Sequence, residues 1–456
     1  MNASMHKETA ATDIAAHLHP FTNLATHPQV GPLVIQCGDG IFVEDDQGRR
    51  YLEAMSGLWC ASLGFSNARL AKAGSEALHG LPYYHTFNGR SNPAAIALAE
   101  KLIALAPVPM SKVFFANSGS EANDSAVKLV WYYHNAIGKA EKKKIIARRN
   151  AYHGVTVAAA SLSGLVPNHR DFDLPIDRIL HVDCPHHFRY AESGETEEDF
   201  ATRLAAALEQ RILDEGPETV GAFIAEPVMG AGGVLVPPVT YFDKVQKVLA
   251  KYEVLLIADE VICGFGRTGE MFGSTTFGLK PDILTAAKAL SSGYVPISAV
   301  MVSEKVHAAV AANSGKIGTF GHGFTYSGHP VACAIALETL KVYEDENIVA
   351  HVQSLAPQFQ QGLQSYAGRK YVGEVRGVGL IGAIELYADP AKRTAFDPAQ
   401  KAGARLAELA LAQGLIVRAM GDSIAFCPPL IITAQQVDDM FARFGRAMAI
   451  FEESFA

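Results

Sequence analysis

Lys288 is the single charged side chain in the run Ile283-Leu284-Thr285-Ala286-Ala287-Lys288-Ala289-Leu290, which leads into Ser291-Ser292-Gly293-Tyr294. An amine set among small and apolar neighbours is desolvated, which favours the neutral form able to attack an aldehyde. Read alone, such a lysine is as well explained by snorkelling to the surface. Asp259-Glu260 closes the wholly apolar run Val254 to Ala258, delivering two carboxylates to the end of a strand, where buried acids need a partner. Asn117-Ser118-Gly119-Ser120-Glu121-Ala122-Asn123 follows the apolar Val113 to Phe115 and opens an amphipathic pattern through Leu129 and Tyr133. Small hydroxyl and glycine residues at a helix start leave free backbone N–H groups that suit a phosphate, although Ser and Asn are also ordinary helix caps. Tyr152-His153-Gly154 after Ile145 to Ala147 offers an aromatic able to stack on a flat ring, or to pack under a loop.

Positioning these groups falls to an alternation of elements. Short apolar runs at 112–115, 144–147, 221–225, 254–258 and 297–301 are separated by helical patterns, so the spacing predicts βαβ units and a mostly parallel sheet. Ligand sites in such sheets lie on the loops after the strands. The stretch GIFVEDDQGRRYLEAMSG alternates about an Asp46-Gln47-Gly48 turn and predicts a hairpin. Strands are also expected within Gly373 to Leu386 and Gly414 to Ile432, with a helix over Asp397 to Gln413 between them. The expected fold class is α/β: a large domain (71–329) with a central parallel sheet flanked by helices, and a small α+β domain built from both chain ends (1–70 and 330–456). The run Lys142-Lys143-Lys144 reads as a solvated helix end.

The 456 residues are 49% hydrophobic and 19% charged with a net charge of −8, which excludes wholesale disorder and argues against a nucleic-acid or anionic-membrane surface. Six cysteines without a CxxC pair suit reduced thiols, no basic-then-apolar leader opens the chain, and no apolar run is long enough to span a membrane. The expectation is a soluble, cytoplasmic protein acting on small molecules.

Taken together, a phosphate loop, a stacking aromatic, a strand-end acid and a lysine in an apolar pocket are what is needed to hold pyridoxal 5′-phosphate. Glu226-Pro227, then Ile257-Ala258-Asp259-Glu260-Val261-Ile262-Cys263-Gly264-Phe265-Gly266-Arg267-Thr268-Gly269, then Pro281-Asp282 through Lys288 resemble the class III aminotransferases of the fold-type I pyridoxal-phosphate superfamily, a likeness covering nearly the whole chain. The resemblance implies Lys288 as the Schiff-base lysine and proton shuttle, and Asp259 as partner of the pyridine nitrogen. It also implies Val261 and Tyr152 on the two ring faces, Ser118, Gly119 and Ser120 on the phosphate, and His153 and Glu226 as further cofactor contacts. Thr325, in Gly323-Phe324-Thr325-Tyr326-Ser327-Gly328-His329-Pro330, matches a threonine sent into a neighbouring subunit's phosphate site. That implies a homodimer with shared sites, with tetramers left open. Within the class, the likeness is to ω-amino acid or amine:pyruvate aminotransferases: Trp59, Phe87, Tyr152 and Ala231 match substrate-pocket positions, and Arg418 matches a movable arginine that grips a carboxylate. Asn88-Gly89-Arg90 departs from relatives that often place another aromatic there. The implied reaction is ping-pong transfer of an amino group from an amine or ω-amino acid to pyruvate. The donor is left open between β-alanine, taurine, a polyamine and a simple amine.

Three alternatives remain. An aminomutase or decarboxylating aminotransferase would use the same cofactor and fold. Gly264-Phe265-Gly266-Arg267-Thr268-Gly269 matches the nicotinamide-dinucleotide fingerprint by letter, but five residues separate it from the strand and no helical pattern follows. Cys184-Pro185-His186-His187 is too compact for its ligands to converge on one ion, and no metal is expected.

Overall fold

In the computed structural model, which describes residues 3–455 and side chains from residue 9 onward, fifteen strands form three sheets. In chain order they are β1 (Ile35–Asp39), β2 (Phe42–Asp45), β3 (Arg50–Glu53), β4 (Lys112–Ala116), β5 (Lys144–Arg148), β6 (Ile179–Val182), β7 (Val220–Ala225), β8 (Leu255–Asp259), β9 (Ile283–Ala286), β10 (Ser298–Val302), β11 (Val372–Val378), β12 (Ile381–Leu386), β13 (Leu415–Ile416), β14 (Arg418–Met420) and β15 (Ser423–Phe426). The seven-stranded sheet has the order β4-β10-β9-β8-β7-β5-β6, and only β10 runs against its neighbours. Strands β7 to β10 are buried at every position, which is why β7, β8 and β10 read as largely apolar runs and not as an alternation.

Successive residues still face opposite sides. Ile145, Ala222, Ile224, Leu255 and Ile257 pack with Ala122, Ala126 and Val130 of helix Gly119–Ala136. Their neighbours Ile146, Phe223, Ala225, Leu256 and Ala258 join Phe200 and Leu204 of helix Glu197–Glu215 and Phe242 and Val245 of helix Tyr241–Lys251. Burying each of the larger side chains contributes about 1.5–3 kcal/mol, so the helices on both faces lock the strand register.

The hairpin expected about Asp46–Gly48 is the β2–β3 pair, with Glu44 opposite Arg50. Strand β13 lies parallel to β3, Leu415 beside Leu52, and so joins the two ends of the chain in one four-stranded sheet. The remaining four-stranded sheet, β11-β12-β15-β14, is antiparallel throughout. The expected 397–413 helix spans Ala402–Ala412, after a capped turn at Pro398–Gln400. The Lys142–Lys144 reading is corrected: Lys142 is only 4% exposed, and its ammonium donates to the carbonyls of Val220 and Tyr252 at 2.9 and 2.8 Å. Three backbone oxygens converging at strand and helix ends make a lysine socket that charge counting does not reveal.

Because β4, β5, β7, β8 and β9 run the same way, their carboxyl ends meet on one edge of the sheet. Ser118, Tyr152, Glu226, Asp259 and Lys288 each lie at or within four residues of one of those ends. Five segments far apart in sequence therefore converge.

Candidate active site

Asp259, the last residue of β8, is 3% exposed, and its Oδ2 accepts hydrogen bonds from His153 Nδ1 at 2.7 Å and Asn123 Nδ2 at 2.8 Å. Its Oδ1 accepts from the Val261 amide at 3.1 Å. Asn123 is fixed in turn by Thr285, whose hydroxyl donates to its Oδ1, and by the His153 carbonyl. Glu260 points away: it accepts from the Gly273 and Ser274 amides, and burial pushes its carboxyl up to about 7. Of the strand-end pair, only Asp259 faces the cavity.

That cavity is a slot of about 80 Å³ bordered by Gly119, Ser120, Tyr152, Asp259, Val261 and Lys288. Ser118 caps helix Gly119–Ala136 by accepting from the Glu121 amide, so the cap reading holds for its side chain. The first amides of the helix, those of Gly119 and Ser120, have no acceptor a turn back and point out of the helix end. A Cβ on Gly119 would lie 3.1 Å from Val261 Cγ1, and one on Gly154 2.5 Å from Ser120 Oγ, so glycine keeps this end open. Glu226 is buried, accepts from the Tyr152 and Gly230 amides, and is pushed up by burial. It ties the tyrosine loop to the turn after β7. Lys288 has φ +48°, a strained value for a side-chain residue, and borders both the slot and a larger pocket.

The larger pocket, about 460 Å³, continues past Lys288 between Trp59, Tyr152, Ala231, Ile262, Arg418 and Phe21. Arg418 opens the short strand β14, inside the stretch where strands are expected. Burial lowers its guanidinium from the ordinary arginine value, with Tyr152 opposing, and among the described residues it makes no ion pair or hydrogen bond. Trp59 sits on a turn in which Ser56, Gly57 and Trp59 all have positive φ. Glu53 accepts from the Met55 and Gly57 amides and holds that turn. Ala231 lies on a turn pinned from three sides. A Cβ at Gly230 would strike Ile262, one at Gly232 would strike the Asn150 carbonyl, and Arg376 donates to the carbonyls of Gly233 at 2.6 Å and Val234 at 3.1 Å. Val234 itself has φ +53°.

Phe87 and Thr325 are not brought to this pocket. Both are exposed, and they belong to neighbouring segments: the Phe87 ring abuts Gly323, and Thr86 bonds the Ser327 carbonyl. The residues missed from sequence are Asn123, Glu53, Phe21 and Ile262. Asn123 reads from sequence only as part of a helix start, and Phe21 belongs to an N-terminal stretch with no periodic signal. Gly264 to Gly269 form turns and open no helix; Arg267 there is buried, donating to the Leu380 and Pro428 carbonyls. A third cavity, about 450 Å³, lies at the opposite strand ends, where Lys139 and Lys305 are paired with Glu253 and Asp282. No helix of the described residues is long and apolar enough to cross a membrane.

The family model described as aminotransferase class-III matches residues 25–448. "Gamma-aminobutyrate transaminase 1, mitochondrial" from Oryza sativa subsp. indica is 52% identical over 440 residues, covering 96% of this chain and 85% of that protein. "Gamma aminobutyrate transaminase 3, chloroplastic" from Solanum lycopersicum is 49% identical over 451 residues, covering 98% and 87%. Among solved structures, the omega transaminase from Pseudomonas jessenii in complex with PMP superposes with a TM-score of 0.97 at 55% identity, covering 98% of each chain.

Proposed function

We propose that this chain, which belongs to the class III aminotransferases and depends on pyridoxal 5′-phosphate, transfers the amino group of a primary amine or short ω-amino acid to pyruvate. The residues present fit the cofactor: an oriented buried carboxylate at one end of the slot, open helix amides and two glycines at the other, and a lysine at its border. When bound, the cofactor supplies an aldehyde that takes up the amino group and a ring that draws negative charge from the donor carbon.

The chain's own residues divide the work. Asp259, steadied by His153 and Asn123, holds the proton on the ring nitrogen. Tyr152 and Val261 cover the ring, and the amides of Gly119 and Ser120, with the hydroxyls of Ser118 and Ser120 nearby, receive the phosphate. Lys288 Nζ attaches the cofactor and carries the proton off and back onto the donor carbon.

The observation that carries the choice of substrates is Arg418, a guanidinium half-withdrawn from water with no acid beside it, in a pocket that it shares with Lys288, Tyr152 and the apolar Trp59, Ile262 and Phe21. An unpaired cation there awaits an anion, while the apolar wall accepts an uncharged amine. Short keto acids and ω-amino acids both bring the carboxylate. The relatives named for γ-aminobutyrate and for omega transamination each favour an amine remote from any carboxylate.

We further infer a homodimer, because Thr325 and Phe87 lie on an exposed face with Leu81, Tyr84 and Tyr326 and would complete a second copy's site. A panel of γ-aminobutyrate, β-alanine and 1-phenylethylamine against pyruvate and 2-oxoglutarate, followed by the cofactor's absorbance, tests the reading. Turnover of pyruvate with both amine classes supports it, and a strong preference for 2-oxoglutarate overturns it.

A further inference from the structure

Asp13 and His17 stand one helical turn apart at the end of helix Ala3–Ala16, and the chain then bends back through Pro20 so that His19 and His27 return to the same carboxylate. Asp13 Oδ1 lies 3.2 Å from His17 Nδ1; Asp13 Oδ2 lies 2.7 Å from His19 Nε2 and 3.5 Å from His27 Nε2. The imidazoles are packed ring against ring, with centroids 4.2 Å apart for His17 and His19 and 4.3 Å for His19 and His27.

We propose that Asp13, His17 and His19 form a binding site for a divalent transition-metal ion of the zinc class, with water completing its coordination. First, the donor set of imidazoles and one carboxylate is that of zinc, nickel and cobalt sites, and one ligand atom from each of Asp13, His17 and His19 already lies within 4.8 Å of the other two. Second, ligands about 2.0–2.1 Å from a tetrahedral ion lie roughly 3.3 Å from one another, close to the 3.2 Å between Asp13 Oδ1 and His17 Nδ1, with His19 Nε2 nearer at 2.7 Å from Oδ2. Third, His27 Nε2, shut off from solvent and 3.5 Å from Asp13 Oδ2, closes the far side of the cluster and keeps that oxygen turned inward. The opposite ring nitrogens of His17 and His19 make no hydrogen bond among the described residues and can carry the proton that frees the inner lone pairs. Fourth, no residue from Thr9 to Gly40 is buried, so this arm has no apolar core of its own within the chain to hold the cluster in shape.

The contrast with the other histidine and acid cluster is instructive. His186, Glu374 and Glu385 also converge, but Arg376 pairs with both acids and Arg189 with Glu385, so their charge is already met. Among the described residues Asp13 has no guanidinium or ammonium beside it, and its ion-pair partners there are all imidazoles. The arm that would be held carries Phe21, two residues past His19, to the wall of the larger pocket, where its ring meets Tyr152 edge-on at 6.5 Å.

The test titrates the chelator-treated, cofactor-loaded enzyme with Co²⁺ and then Zn²⁺. The expected result is one Co²⁺ per chain with the visible absorption of a tetrahedral nitrogen and oxygen site, displaced by Zn²⁺. Asp13→Asn and His19→Gln should each weaken binding by about tenfold or more, whereas His79→Gln, an exposed histidine elsewhere, should leave it unchanged. Zinc should raise the melting temperature of the parent chain and not of the Asp13→Asn variant. Binding that is equal in parent and variants, or no stoichiometric Co²⁺ at all, overturns the site and leaves the cluster as a hydrogen-bond network.

Discussion

Asp259 and Arg418 bring opposite charges to adjoining cavities, and their surroundings differ in kind. Asp259 is held by three donors, from His153, Asn123 and the Val261 amide, so its carboxylate is rigid before any ligand arrives. Asp259→Asn keeps the shape and removes the charge, and single-turnover deamination of an amine should slow by ~10²-fold or more while the cofactor stays bound. A nearly normal single turnover would make the residue structural only. Arg418 has no such partners, which frees it to swing toward a carboxylate when one enters. Arg418→Ala should raise the pyruvate KM strongly and leave the half-reaction of a carboxylate-free amine nearly intact, since a buried carboxylate that loses its charged partner is weakened by ~2–5 kcal/mol. Stopped-flow measurement of the two half-reactions separates these cases, and equal losses in both would assign Arg418 to the fold.

Elements place these residues through contacts that no local pattern encodes. The Gly230–Val234 turn forms one pocket wall at Ala231, and it is gripped by Arg376 from β11, whose guanidinium also pairs with Glu374 and Glu385. Burial alone would raise Glu385, yet Arg376 and Arg189 hold it down at about 2. Arg376→Met should let the strained Val234 relax and shift Ala231, raising KM for bulky amines more than for small ones with kcat little changed; Arg376→Lys should recover part of the loss. A uniform fall in kcat for every donor would point to general damage instead. Glu53 braces the Trp59 turn in the same way, and burial pushes it up to about 7. Its folded value lies above the ordinary 4.5, so its stabilisation is complete below that pH and lost as pH rises through about 7. Glu53→Gln should flatten part of the decline in melting temperature between pH 4.5 and 7, while Glu260, also near 7, and Glu226, raised by burial, still contribute to it. The strands bearing Ser118, Tyr152, Glu226 and Asp259 were legible because each is a short apolar run bounded by polar loop residues. Strand β6 was missed because Ile179-Leu180-His181-Val182 carries a histidine at an edge. Strand β9 was missed because Ile283–Ala286 runs without a turn signal into Lys288. Phe21 and Arg376 act through long-range contacts, of which single-sequence periodicity holds no trace, and Glu53 acts on its own irregular turn, which follows no period.

At the scale of the whole molecule, the chain leaves part of the proposed machinery outside its own pocket. Thr325 and Phe87 stand on an exposed face beside Leu81, Tyr84 and Tyr326, whereas Lys288 and Asp259 lie inside at the sheet edge. If each site in a homodimer takes Lys288 from one copy and Thr325 from the other, two differently damaged chains can repair each other. Lys288→Ala removes the attachment amine, and Thr325→Glu sets a negative charge where a phosphate would sit. Each variant alone should be close to inactive. In a hybrid, one site carries both lesions, while the other pairs an intact Lys288 with an intact Thr325. Random reassortment makes about half the dimers hybrids, so a mixture unfolded and refolded together should recover about a quarter of the parent activity. Mixing without subunit exchange should recover none, which separates true sharing from residual activity of either variant. If the refolded mixture stays inactive although size-exclusion chromatography shows hybrid dimers, Thr325 serves its own chain or none, and the shared-site reading fails even if the protein is a dimer.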